Sequence, residues 1–138
     1  MKKIVSASVF LLLIFLYACQ SDKEIEQQRY FVNGKSIFEQ HCQNCHGANG
    51  EGLGELYPPL TDTVFMRSNK SKIACIIKNG SNTALMVHNK KYEGKMPAES
   101  DLSDIEIAEI VNYITNSFGN KLGDYDVNNA AADLKNCQ

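Results

Sequence analysis

Apolar and polar positions fall into several distinct patterns along the chain. The first is an apolar run from Ile4 to Ala18, broken by two serines. It has the length of a signal peptide and falls short of the about 20 residues a bilayer-spanning helix needs. From Gln20 to about Val32 the chain turns polar and charged, which predicts a tether with some helical character. Between Ser36 and Cys45, Ile37 and Phe38 fall with Cys42 and Cys45 at helical spacing. Residues 47–60 hold four glycines and two prolines and read as a loop. Thr61 to about Met66 predicts a short helix. Ser71 to Lys78 predicts a longer one, carrying Ile73, Ala74, Ile76 and Ile77. Ser103-x-x-Glu106 is a capping box opening an amphipathic helix with the stripe Ile107, Ile110, Val111, Ile114 and Phe118. No stretch alternates as a strand does, and no repeat is visible. The expected fold class is all-α, with about four to five helices.

The 138 residues suit one domain. Met1-Lys2-Lys3 supplies a basic start to the apolar run, which ends in Leu16-Tyr17-Ala18-Cys19. That ending resembles the lipobox of bacterial lipoproteins, in which the cysteine is diacylated and the chain is cut ahead of it. The expected organisation is a lipoprotein signal peptide over 1–18 and a lipid-anchored tether over 19–32. A domain over 33–119 and a C-terminal tail over 120–138 follow. The alternative is an uncleaved anchor with an incidental cysteine. Either way the rest of the chain is exported, to the periplasmic side of a bacterial membrane. Without residues 1–18 there remain 12 basic and 16 acidic residues, a formal net charge of −4, which argues against a nucleic-acid partner.

The chemistry sits in Cys42-Gln43-Asn44-Cys45-His46, a CxxCH segment. In an exported protein this reads as c-type haem attachment. Two thiols three positions apart on a helical turn reach the two vinyl groups on one porphyrin edge, and the adjacent His46 supplies the proximal nitrogen to iron. A thioredoxin-like CxxC would need a βαβ pattern. A structural zinc site would need a second ligand pair, and Cys75, His88 and Cys137 are single and scattered. For a sixth ligand the candidates are Met66, Met86, His88 and Met96. Met96 stands out because Gly94 frees the backbone before it and Pro97 stiffens the chain after it. Met66, Met86 and His88 read as core or surface residues.

Together these segments resemble a small class I cytochrome c over residues 33 to 119. Gly34 to Phe38 leading into Cys42-Gln43-Asn44-Cys45-His46-Gly47 is similar to that family's first helix. Gly50-Glu51-Gly52 through Tyr57-Pro58-Pro59-Leu60 is similar to its glycine-rich loop and proline turn. Tyr92 to Ala98 resembles its methionine loop, and Leu102 to Gly119 its last helix. The resemblance implies one haem c, covalently held by Cys42 and Cys45 and ligated by His46 and Met96. It further implies that the Pro58 carbonyl orients His46, with Pro59 one position away as the alternative, and that Leu60 packs on the macrocycle. Gly34 and Phe38 should pack against Ile110 and Tyr113 where the first and last helices cross. Tyr57 and Tyr92 could reach the propionates or simply pack at the rim. His41 reads as an exposed polar residue.

An iron closed by His46 and Met96 favours outer-sphere electron transfer over catalysis, so the chain is expected to be a membrane-tethered electron carrier and no enzyme by itself. The alternatives are a permanent cytochrome subunit of a dehydrogenase or oxidase and a haem protein with an open sixth site. Residues 67–95 carry seven basic side chains and only Glu93 as an acid, whereas residues 99–109 carry five acids and no base. That dipole predicts redox partners with an acidic docking surface, approached through salt-sensitive steering. Five cysteines, less Cys19 for lipid and Cys42 and Cys45 for haem, leave Cys75 and Cys137. In an oxidising compartment they suggest a disulfide pinning the tail, against the alternative of a buried free Cys75 and a loose tail.

Overall fold

The structure, a computed structural model, describes residues 22–137. The expected signal peptide and Cys19 lie outside the described residues. Among the described residues six helices carry the fold: α1 (Asp22–His41), α2 (Gln43–His46), α3 (Thr63–Ser68), α4 (Lys70–Asn79), α5 (Asp104–Thr115) and α6 (Val127–Leu134). Two strands, β1 (Leu85–Val87) and β2 (Lys90–Tyr92), stand between α4 and α5. Among the described residues no helix is long and apolar enough to cross a membrane.

The scaffold is the crossing of α1 and α5. Gly34 makes it close: a Cβ there would stand 1.9 Å from the Glu109 carbonyl oxygen and 2.9 Å from Tyr113 Cβ. Below this contact Phe38 meets Tyr113 and Phe118, with ring centroids 5.4 and 5.3 Å apart. The capping box at the start of α5 forms, the Glu106 carboxylate accepting from the Ser103 N–H at 2.8 Å. From Ile107 to Thr115 every residue of α5 is buried, well beyond the expected stripe. Its polar positions are covered and paired. Glu109 accepts from Asn33 of α1 at 2.8 Å, and Asn112 accepts from the Tyr125 N–H at 3.1 Å.

Three expectations are corrected here. The first helix is already formed at Asp22, the first described residue, rather than near Ser36, and runs unbroken through most of the segment read as a tether. Tyr30 is the reason: it is 2% exposed, and its hydroxyl accepts from the Val127 N–H. The tail after Gly119 also folds. Its α6 packs on α4 and α5, buries Tyr125 and Ala130, and is joined to α4 by a Cys75–Cys137 disulfide with Cα atoms 5.5 Å apart. Last, the chain is not free of strands. Val87 and Lys90 pair across His88 and Asn89, both at positive φ (49° and 59°), the two-residue turn that suits the twist of a hairpin. Three-residue strands are too short for alternation to show in the sequence.

Candidate functional site

The helix break at Cys42 arranges the site. The Cys42 N–H still donates to Phe38 O, while its carbonyl accepts from the N–H groups of Cys45 and His46, at 3.1 and 2.9 Å, and so starts α2 in a new direction. Cys42, Cys45 and His46 then line one cleft with Tyr57, Pro58 and Leu60 of the loop that follows. The cleft encloses about 940 Å³, part of it open to solvent, and most of its other walls are apolar side chains from α3, α4 and the hairpin. Burial pushes the Cys42 thiol up to about 12, with the charges of Glu99 and Cys45 adding to the effect. Burial also holds His46 below the ordinary histidine range, outweighing the opposite pull of its hydrogen bond to Pro58. His46 is therefore a neutral imidazole at neutral pH. Its Nδ1–H donates to the Pro58 carbonyl at 2.9 Å, which leaves the Nε2 lone pair free.

Met96 lines the same cleft, and its main chain is fixed by a reciprocal pair of 2.9 Å hydrogen bonds with Ser81. Gly94 serves differently from expectation. Its φ is ordinary, but a Cβ would stand 2.4 Å from the Leu56 carbonyl oxygen, so its role is close approach between two loops at the cleft mouth. Met66 also lines the cleft and is 3% exposed, whereas Met86 (58% exposed) is a surface residue of the hairpin and His88 an exposed turn residue. Tyr57 and Tyr92 stand in the cleft wall. His41 is exposed and pairs with Glu99 at 2.9 Å. Cys75 and Cys137 lie away from this cleft, on the outer side of α4.

Two thiols for covalent attachment and a neighbouring imidazole, set in an apolar cleft, fit a covalently held haem. Against known families, residues 31–118 match the family described as "Cytochrome c". The chain belongs to the cytochrome c family. It is 28% identical over 92 residues to cytochrome c-552 of Thermus thermophilus, covering 64% of this chain and 70% of that protein. Cytochrome c-554(548) of Halomonas halodenitrificans is 34% identical over 74 residues, 52% of this chain and 78% of that one. The cytochrome c subunit of a quinone alcohol dehydrogenase from Gluconacetobacter polyoxogenes is 32% identical over 93 residues, 65% of this chain but 19% of the subunit. This cytochrome is thus a small class I member whose cofactor is one haem c, covalently bound through Cys42 and Cys45, and whose activity is electron transfer. The haem, when bound, supplies a one-electron iron couple. The chain excludes water from it with apolar walls and holds the His46 proton on Nδ1.

Two residues that shape the site escape motif reading. Asp62 caps α3, accepting from the N–H groups of Val64 and Phe65, and also accepts from the His88 N–H at 2.7 Å, tying the hairpin to the helix. An Asp before a short apolar run is a legible cap; its bond to the hairpin is not. Asn120, 1% exposed, bonds Leu60, Thr63 and Ile114. No sequence signal distinguishes it from a loop asparagine.

Proposed function

We propose that this cytochrome is a membrane-tethered shuttle, carrying single electrons between respiratory-chain partners on a haem ligated by His46 and Met96. The observation that carries this reading is the shared apolar cleft: His46 with Nε2 free, and Met96 with its backbone pinned to Ser81. With both positions of the iron taken, no site remains for a substrate. A thioether ligand also favours the reduced metal and raises the potential. Pro58 orients His46, and Leu60 packs against the macrocycle.

The decisive experiment is the optical spectrum of the oxidised holoprotein. Methionine ligation predicts the long-wavelength thioether-to-iron band, lost in Met96→Ala and retained in Met66→Leu. A band that survives Met96→Ala and disappears in Met66→Leu reverses the assignment. A parent protein that lacks the band and binds carbon monoxide when reduced has an open sixth site instead.

Anchoring is proposed at Cys19 through diacylation, after removal of residues 1–18 on the outer side of the membrane. Mass spectrometry of the mature N-terminal peptide would test it, and an unmodified Met1 start would exclude it. The partner is proposed to present an acidic surface to the basic segment between Arg67 and Lys95. Of those seven cations, Lys70 and Lys78 donate to backbone carbonyls, and Lys90 and Lys91 pair with Glu55 and Glu93. Arg67, Lys72 and Lys95 have no partner among the described residues, and Lys95 lies at the cleft. A second reading, a fixed subunit of a dehydrogenase or oxidase, draws on the dehydrogenase-subunit relative. Size-exclusion chromatography of detergent-solubilised membranes separates the two.

A further inference from the structure

The loop over residues 47–60 delivers the Pro58 carbonyl to His46, and its own bonds bracket that carbonyl on both sides. The Leu53–Tyr57 bridge closes its middle, and Gly52 N–H donates to the His46 carbonyl at 2.7 Å. The far end, two residues beyond Pro58, is held both from within the loop and from outside it. Leu60 N–H donates to the Gly50 carbonyl at 2.7 Å, and the Leu60 carbonyl accepts from Asn120 Nδ2 at 2.8 Å. Asn120 lies just beyond the family match, in the corner that follows α5. Its second amide hydrogen goes to the Ile114 carbonyl at 3.0 Å, and its Oδ1 accepts from the Thr63 hydroxyl at 2.9 Å. The side chain is 1% exposed and has both donors engaged. Burying an amide is costly unless its bonds are made, and here they are made to the last turn of α5, the first residue of α3 and the end of the proximal loop.

We propose that Asn120 is a positioning residue for the proximal ligand. By fixing Leu60 it holds the Pro58 carbonyl where His46 Nδ1–H donates to it, and so sets how strongly the imidazole donates to bound iron. A ligating histidine whose other N–H is firmly held is more basic and favours the oxidised metal. Loosening the loop weakens that bond and raises the potential. This rests on His46 as the iron ligand.

The test uses the haem-loaded protein. Asn120→Leu keeps the branched outline at a somewhat larger volume and removes every hydrogen bond, and Asn120→Ala removes volume instead. Thr63→Val removes only the bond on the Oδ1 side. In each, the midpoint potential is measured by spectroelectrochemistry, the exchange of the His46 Nδ1–H by proton NMR of the reduced protein, and stability by guanidinium unfolding. Both Asn120 variants should show a higher potential and exchange at least tenfold faster, while Thr63→Val loses stability and leaves both readouts at parent values. Parent-like potential and exchange in the Asn120 variants would overturn the proposal. So would an equal shift in Thr63→Val, or failure of both Asn120 variants to hold the haem-loaded fold, since the residue would then be purely structural. If His46 is not the ligand, its ring protons in the parent lack the large ring-current shift of an axial imidazole, which shows before any variant is made.

Discussion

Asp62 joins α3 and the hairpin with one carboxylate, and its titration reports whether that junction matters. Burial alone would raise its pKa. The N–H groups of His88, Phe65 and Val64, with the nearby His88 ring, more than reverse this and hold the group below the ordinary carboxylate range. A folded pKa below the unfolded one means that the contribution is complete above the unfolded value, about pH 4, and is lost as pH falls through the folded pKa. Asp62→Ala should therefore cost about 1–2 kcal/mol near pH 7 in guanidinium unfolding of the holoprotein. The gap from the parent should close as the pH is lowered. A gap of constant size would mean that the carboxylate charge plays no part. At this scale the motif residues were legible because covalent chemistry demands their spacing. Asp62 was legible only as a cap and Asn120 not at all, since their partners are 26 and 60 residues away in the chain.

At the scale of elements, the crossing of α1 and α5 depends on the missing side chain at Gly34. Alanine there gains about 1 kcal/mol of helix propensity. That gain is outweighed, because the new Cβ meets backbone at Glu109 rather than a side chain that could swing aside. Gly34→Ala should lose about 2 kcal/mol net by denaturant unfolding, and an unchanged midpoint would show that the helices can separate freely. The second element-scale device is the disulfide, which spans 62 residues of sequence. Closing a loop of that length stabilises by about 4 kcal/mol in the chain-entropy treatment. A Cys75→Ser, Cys137→Ser double variant should unfold at correspondingly lower denaturant and become sensitive to proteolysis after Asn120, with the haem spectrum retained. Protection equal to the parent's would show that the packing of Tyr125 and Ala130 holds α6 without the bridge.

For the whole molecule, the early start of α1 alters what an anchor at Cys19 would do. Only Gln20 and Ser21 separate that cysteine from a helix whose Tyr30 is already in the core, so the proposed lipid would hold the domain close to its membrane on a short leash. The proposed acidic partner surface makes approach to the cleft depend on charge. If the surface around the cleft is positive, oxidation of the reduced protein by anionic hexacyanoferrate(III) should slow as ionic strength rises. Oxidation by cationic tris(phenanthroline)cobalt(III) should quicken. Rates flat in both would leave apolar contact as the dominant docking force.

The sequence by itself determined the chemistry and the class. CxxCH, the proline turn, the methionine loop and the capped last helix are local patterns, and each constrains residues that are neighbours in the chain. Only the tertiary structure showed that segments on both sides of the family match join the fold. The polar segment before Val32 and the tail after Gly119 look alike in composition to linker. Both become part of the fold because α5 has two faces to cover, and α1 and α6 arrive from opposite ends of the sequence to cover them. Long-range partnership leaves no local periodicity, which is why Tyr30, Tyr125 and Asn120 could be placed only once the helices had been packed.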